Sequence, residues 1–120
     1  MPKAAPFQTH PDRYDAWFEQ HVPDYTSELL ALRAFVPWRG EGLEIGVGTG
    51  RFAAPLGVGT GVDPAPAMLA RAAERGIRAM EGVAEDLPFA GETFDHALVV
   101  TTLCFVDSPA RMVAEAYRVL

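Results

Sequence analysis

The chain has 120 residues, 49% of them hydrophobic, a formal net charge of -6 and a single cysteine. That length suits one domain, the acid excess argues against a nucleic-acid backbone as partner, and a lone Cys104 excludes an internal disulfide framework. No run approaches the roughly 18 apolar residues that span a bilayer, and residues 1–6 lack the apolar core of a secretory leader, so a cytoplasmic setting away from membranes is expected.

Residues 1–11 are rich in proline and read as an irregular arm. Tyr14, Trp17, Phe18 and His21 follow helical spacing, and Pro23 stops that helix. Asp24 is placed to N-cap the next one, whose stripe is Leu29, Leu32 and Val36 and which ends at Pro37. After the Gly40-Glu41-Gly42 turn, residues 43–47 read as a buried strand. A short helix over residues 51–56 is broken by Gly57 and Gly59, and residues 58–63 form a second strand. Asp63-Pro64 opens a helix that Gly76 terminates. Residues 77–83 and 94–100 read as the third and fourth strands. Ser108-Pro109 starts a last helix with Met112, Val113, Ala116, Val119 and Leu120 on its apolar stripe. Strand and helix alternate, so an α/β fold is expected, a parallel sheet with right-handed crossovers and helices on both faces.

Three segments reach the carboxyl edge of that sheet, where open α/β folds hold ligands. The first is Glu44-Ile45-Gly46-Val47-Gly48-Thr49-Gly50, an acid followed by three alternating glycines. Glycine allows a positive φ and close approach of a ligand to bare backbone, and the open N–H groups of the following helix favour a polar ligand group there. The second is Asp63, placed to accept both hydroxyls of a ribose or to cap the helix after it. The third is Val83-Ala84-Glu85-Asp86, placed to meet a heterocycle.

The glycine spacing differs from the dinucleotide fingerprint, because Arg51 stands where its third glycine belongs, and a P-loop would need lysine then serine or threonine. Glu44, Asp63, Glu85 and Asp86 would repel phosphate and suit a cation. A sulfonium nucleoside meets both conditions. No metal spacing links His10, His21 and His96. Cys104 reads as an apolar filler, and Arg71, Arg75 and Arg78 as a solvated face.

From about Tyr14 onward the chain resembles the class I S-adenosylmethionine-dependent methyltransferases, in particular the small-molecule group that includes ubiquinone/menaquinone-type enzymes. Residues 43–50 are similar to that family's first motif, and Gly61-Val62-Asp63-Pro64-Ala65-Pro66-Ala67-Met68-Leu69 to its second. Ala84-Glu85-Asp86-Leu87-Pro88-Phe89 with Phe94-Asp95 resembles the third and fourth, and residues 115–120 the helix before a later glycine turn. The resemblance implies a Rossmann-like three-layer αβα sandwich, with residues 1–40 as arm and lid helices and 41–120 as the N-terminal part of the cofactor-binding core. It also implies about three further strands beyond Leu120. Either the chain is a fragment of a longer protein, or partner contacts replace those strands; for a chain intact at 120 residues the fourth strand is an exposed edge, and association of two copies through it is expected.

By the same resemblance the cofactor is S-adenosyl-L-methionine and the acceptor a small molecule. Glu44, Gly46, Gly48, Thr49 and Gly50 lie at its amino-acid end, and Asp63 holds the ribose, with Pro64 and Met68 near the adenosine. Ala84 and Glu85 flank the adenine, with Glu85 standing in for the acid that relatives carry where this chain has Val83. Thr101 and Thr102 lie beside the methionine part. Tyr14 and Trp17 are shared between a lid role and an ordinary core stripe, and Phe52 and Phe105 line the acceptor's entry. No catalytic base stands out. The alternatives are a cofactor-binding unit without turnover and, disfavoured by the glycine spacing, a nicotinamide-dependent oxidoreductase.

Overall fold

The computed structural model describes residues 3–120; Met1 and Pro2, the start of the expected arm, lie outside it. Among these residues β1 (Gly42–Ile45), β2 (Thr60–Asp63), β3 (Arg78–Glu81) and β4 (His96–Val99) form one parallel sheet in the order β3-β2-β1-β4. Ile45 lies opposite both Val62 and Val99, so the carboxyl ends of β2, β1 and β4 finish level. The chain order reverses at β1, and this is where an open parallel sheet leaves a crevice.

Each face of the sheet carries its own apolar layer. Leu43, Ile45 and Val62 pack with Leu87, Phe94 and with Met112 and Val119 of the last helix, α6 (Pro109–Val119). The other face takes Val47, Val58 and Leu98 against Phe52, Leu56, Leu69 and Ala72, from α4 (Ala53–Leu56) and α5 (Pro66–Glu74) and their approach segments. Gly61 belongs to this arrangement, since a Cβ there would lie 2.5 Å from Val47 Cβ. Helices on both faces of a parallel sheet are the architecture that the alternation implied.

The N-terminal region departs from expectation. In place of an irregular arm, Ala5–Thr9 forms α1, with proline in its first turn, where the missing N–H costs no helical bond. Two more helices follow, α2 (Pro11–Gln20) and α3 (Val22–Arg33). Pro23 therefore sits inside the start of α3 rather than beyond the end of α2. Asp24 lies in the first turn instead of at the cap, which is His21 with no side-chain bond. α3 ends at Arg33, before Pro37, although Val36 is still buried. Similarly, α5 begins at Pro66, one turn-residue pair later than Asp63-Pro64 suggested.

At the other end Ser108 caps α6 as expected, its hydroxyl accepting from Arg111 N at 3.3 Å. Met112, Ala116 and Val119 form the buried stripe, but Val113 is 59% and Leu120 48% exposed. Both lie roughly 100° off the stripe on a helical wheel, and Val113 shares a shallow groove with Val99 of β4 and Leu103.

Candidate functional site

A cavity of about 300 Å³ opens at the carboxyl edge of β1, β2 and β4, at the lower end of the range typical of ligand pockets. Its floor is built by the glycine corner and Asp63. Gly46 has φ +76°, and a Cβ there would collide with the Thr102 side chain. Gly48 has φ +56°, and its missing Cβ would point at Tyr14 Oη and Met68 Cε, 3.4 Å from each. The corner thus leaves a cradle that any other residue would fill. Asp63 ties it to β2, with Oδ2 accepting from Gly48 N at 3.0 Å and Oδ1 from Ala65 N at 2.9 Å. Burial pushes the Asp63 carboxyl up, and those two amides pull it partly back.

The amides of this corner divide into two groups. Those of Gly46 and Val47 both donate to Val62 O, that of Gly48 to Asp63, and that of Gly50 to Val47 O. Those of Thr49, Arg51 and Phe52, leading into α4, have no acceptor among the described residues.

Of the expected residues, Gly46, Gly48, Asp63, Pro64 and Met68 line the floor, and Ala84, Glu85, Thr101 and Thr102 line the side. Tyr14, Trp17, Phe52 and Phe105 close around them. Three expected residues are not in the wall. Glu44 is 1% exposed under the corner, with Oε1 lacking any hydrogen-bond partner among the described residues. Burial pushes its carboxyl well above the usual range, a bond from the Ala53 amide offsets part of this, and Asp63 adds to it. Gly50 faces Ile77 and Ala72. Thr49 turns its hydroxyl to Asp15 at 2.6 Å.

Glu85 has a second duty that its sequence position does not disclose. Its Oε2 accepts from Asp107 N at 2.9 Å and Ser108 N at 3.2 Å, which anchors the entry to α6, while Oε1 is buried without a partner among the described residues. Thr101 holds φ +53°, a left-handed conformation that costs a β-branched residue on the order of 1–2 kcal/mol. Such strain is concentrated where a chain shapes a ligand site.

The roof comes from α1 and α2. Phe7 meets Tyr14 and Phe105 edge-on at 6.0 and 5.0 Å between centroids, joining α1, α2 and the turn after β4. Lys3 N donates to Phe105 O, and Gln8 Oε1 accepts from Ala67 N. Trp17, which stacks on His21, is 43% exposed at the rim. Lys3, Phe7 and Glu28 are lining residues that the sequence reading did not single out.

The roof is fastened through Asp15, also missed in the sequence. This carboxylate is 5% exposed and accepts from Thr49 Oγ1, from Arg51 Nε at 3.0 Å and from Arg71 at 2.9 Å, with Arg75 at 3.5 Å. Arg71 also pairs with Asp12, Arg51 with Glu19, and Arg75 with Thr49 O. Arg71 and Arg75 are therefore not a solvated face but a clamp between α5 and α2; Arg78 is exposed as expected. The three arginines are brought together only by the fold.

Comparison with known proteins agrees with this geometry. The model of the family described as "Methyltransferase domain" matches residues 43–120. An uncharacterised protein of Methanocaldococcus jannaschii is 46% identical over 114 residues, covering 95% of this chain and 55% of that protein. A crystal structure of a SAM-dependent methyltransferase of Thermotoga maritima, described as a possible histamine N-methyltransferase, superposes with a TM-score of 0.92 at 49% identity, covering 95% of this chain and 55% of that one. The rice chloroplast enzyme 2-methyl-6-phytyl-1,4-hydroquinone methyltransferase 2 is 38% identical over 90 residues, which is 65% of this chain and 25% of the enzyme. The chain thus spans about half the length of the first of these relatives. Among the described residues no helix is long and apolar enough to cross a membrane. With a matching domain, a matching parallel sheet and a cradle at its carboxyl edge, the chain belongs to the methyltransferase-domain family and carries the class I S-adenosylmethionine-dependent methyltransferase fold.

Proposed function

We propose that the chain binds S-adenosylmethionine in this cavity and serves methyl transfer to a small organic acceptor. The observation that carries the reading is the bond from Gly48 N to Asp63 Oδ2, which joins the glycine cradle and a buried carboxylate into one floor. Asp63 keeps lone pairs free on both oxygens for a ribose diol. Pro64 and Met68 give the adenosine an apolar seat, and Ala84 and Glu85 flank its base. Glu44 lies beneath as a second acid. Lys3 is the one basic side chain lining the cavity among the described residues, against Asp63, Glu85 and Glu28. This balance suits a cation and opposes a pyrophosphate, so the residues present fit a sulfonium nucleoside and not a nicotinamide dinucleotide.

The bound sulfonium supplies an electrophilic methyl group. The chain's part is position and exclusion of water, effects worth up to about 7–11 kcal/mol for well-oriented reactants. Tyr14 and Trp17 form the lid, and Phe52 and Phe105 bound the space left for the acceptor. The acceptor classes in the relatives' descriptions, a phytyl hydroquinone in the rice enzyme and histamine in the Thermotoga maritima protein, differ in chemistry, and they narrow it only to a small organic molecule. The relatives' greater length supports a second reading, a cofactor-binding unit that does not turn over by itself.

Calorimetric titration with S-adenosylhomocysteine and NAD tests the reading. Binding of the first and not the second is expected, with Asp63→Ala at least about tenfold weaker, since each hydrogen bond to a charged acceptor contributes roughly 1.5–3 kcal/mol. Binding of NAD alone would refute it, and unchanged affinity in Asp63→Ala would remove the ribose assignment. Release of S-adenosylhomocysteine from S-adenosylmethionine in the presence of acceptors separates turnover from binding alone.

A further inference from the structure

The cavity holds one acid that the cofactor leaves without a task. Asp63 and Glu85 follow β2 and β3, and Glu44 lies beneath the glycine corner. Glu28 comes instead from α3 and lines the cavity with Trp17, Phe18 and Phe52. Its carboxylate has no hydrogen bond or ion pair among the described residues. An ionised carboxylate only accepts, so inside a cavity wall it calls for a donor or a cation from the ligand.

The position of Glu28 is set by Tyr25, one turn earlier on α3. The Tyr25 ring meets Phe18 edge-on at 5.1 Å and Phe52 at 5.7 Å between centroids, and its hydroxyl donates to Arg51 O. Side chains three residues apart on a helix share a face, which brings Glu28 beside the same rings. Trp17 continues the aromatic wall: it meets Phe18 at 5.2 Å between centroids, and its stack on His21 at 4.3 Å holds it at the rim. Aromatic faces, tryptophan above all, attract a cation. A free carboxylate in an aromatic wall is therefore matched by an ammonium group, which supplies both the charge and the donors, more closely than by a neutral ring or an anion.

We infer that Glu28, with Trp17, holds a protonated amine of the methyl acceptor at the rim of the cavity, so that the acceptor class is a small organic cation. Resting on the reading of the cavity proposed above, this turns Trp17 from a cover into a specificity residue and gives Glu28 its partner. A protonated amine has no lone pair, so the nitrogen held at Glu28 is not the atom methylated. The acceptor carries its nucleophilic atom elsewhere, and the ammonium is the handle that orients it.

The test is calorimetry on the 120-residue chain, both saturated with S-adenosylhomocysteine and unliganded, with two probes of one shape. One is 2-phenylethylamine, cationic at neutral pH, and the other the neutral 2-phenylethanol. The amine is expected to bind about tenfold more tightly, since a cation over an aromatic ring and an ion pair at a rim each contribute a severalfold gain. Glu28→Gln keeps the shape and removes the charge; it is expected to weaken the amine about fivefold and to leave the alcohol within about twofold. Trp17→Leu is expected to weaken the amine more than the alcohol. An amine that binds no more tightly than the alcohol, or that Glu28→Gln binds as well as wild type, would overturn the inference, and equal losses for both probes in Trp17→Leu would overturn the part given to the ring. A chain that binds no S-adenosylhomocysteine would refute the cofactor reading, while the amine preference of the unliganded cavity still decides the role of Glu28. Thermal melts of wild type and Glu28→Gln are expected to coincide, because the side chain has no partner in the fold to lose.

Discussion

Removing the carboxylate of Asp15 tests how α2 is held against the glycine corner and α5. Asp15→Ala leaves Arg51, whose side chain is 14% exposed, without its central partner, and strands the buried Thr49 hydroxyl. Breaking a buried charge pair costs about 3–5 kcal/mol, because a charge is left uncompensated. Here the lower end applies, since Arg51 keeps Glu19, Arg71 keeps Asp12 and Arg75 keeps Thr49 O. A loss of about 3 kcal/mol, set against an unfolding entropy of roughly 0.25 kcal/mol/K for a chain of this size, lowers Tm by about 12 °C. Differential scanning calorimetry at neutral pH measures it. Asp15→Asn, which keeps the volume and one acceptor, is expected to fall between the two. The centre of the clamp is buried, so most of the gap is expected to persist in 1 M salt, where exposed pairs are screened. A shift under about 4 °C, or one that vanishes in salt, would refute the clamp.

Two further outcomes follow from the core. Gly61→Ala places a Cβ against Val47, an overpacking that costs about 1–3 kcal/mol, and adding Val47→Ala is expected to restore part of the loss in a thermal melt. Glu44 has its folded pKa raised by burial, so between the ordinary carboxylate pKa of about 4.3 and the raised one the folded state binds more protons than the unfolded, and stability falls as pH rises. Glu44→Gln is expected to melt higher than wild type at neutral pH, with the difference shrinking toward pH 4; a constant difference across that range would contradict the assignment.

The residues that define the site's floor were legible in the sequence because their demands are local. Three alternating glycines, an acid at the end of each of the first two strands and a serine before the last helix report backbone geometry within a few positions, and Gly46, Gly48, Asp63 and Ser108 are found doing what that geometry requires. Periodicity likewise announced the alternation of strand and helix, though not that Ala5–Thr9 would become helical when packed over the cavity. What the sequence could not disclose are meetings across the chain. Asp15 finds Thr49, Arg51, Arg71 and Arg75 over separations of 34 to 60 residues, and a charge pattern read along one helix gives no sign of a partner on another. A helix start leaves its own N–H groups unpaired, and the sequence does not say which amides of the corner stay so. Those of Gly46, Val47 and Gly48 are engaged because β2 runs alongside and offers Val62 O and Asp63, an acceptor set that exists only once the strands have come together.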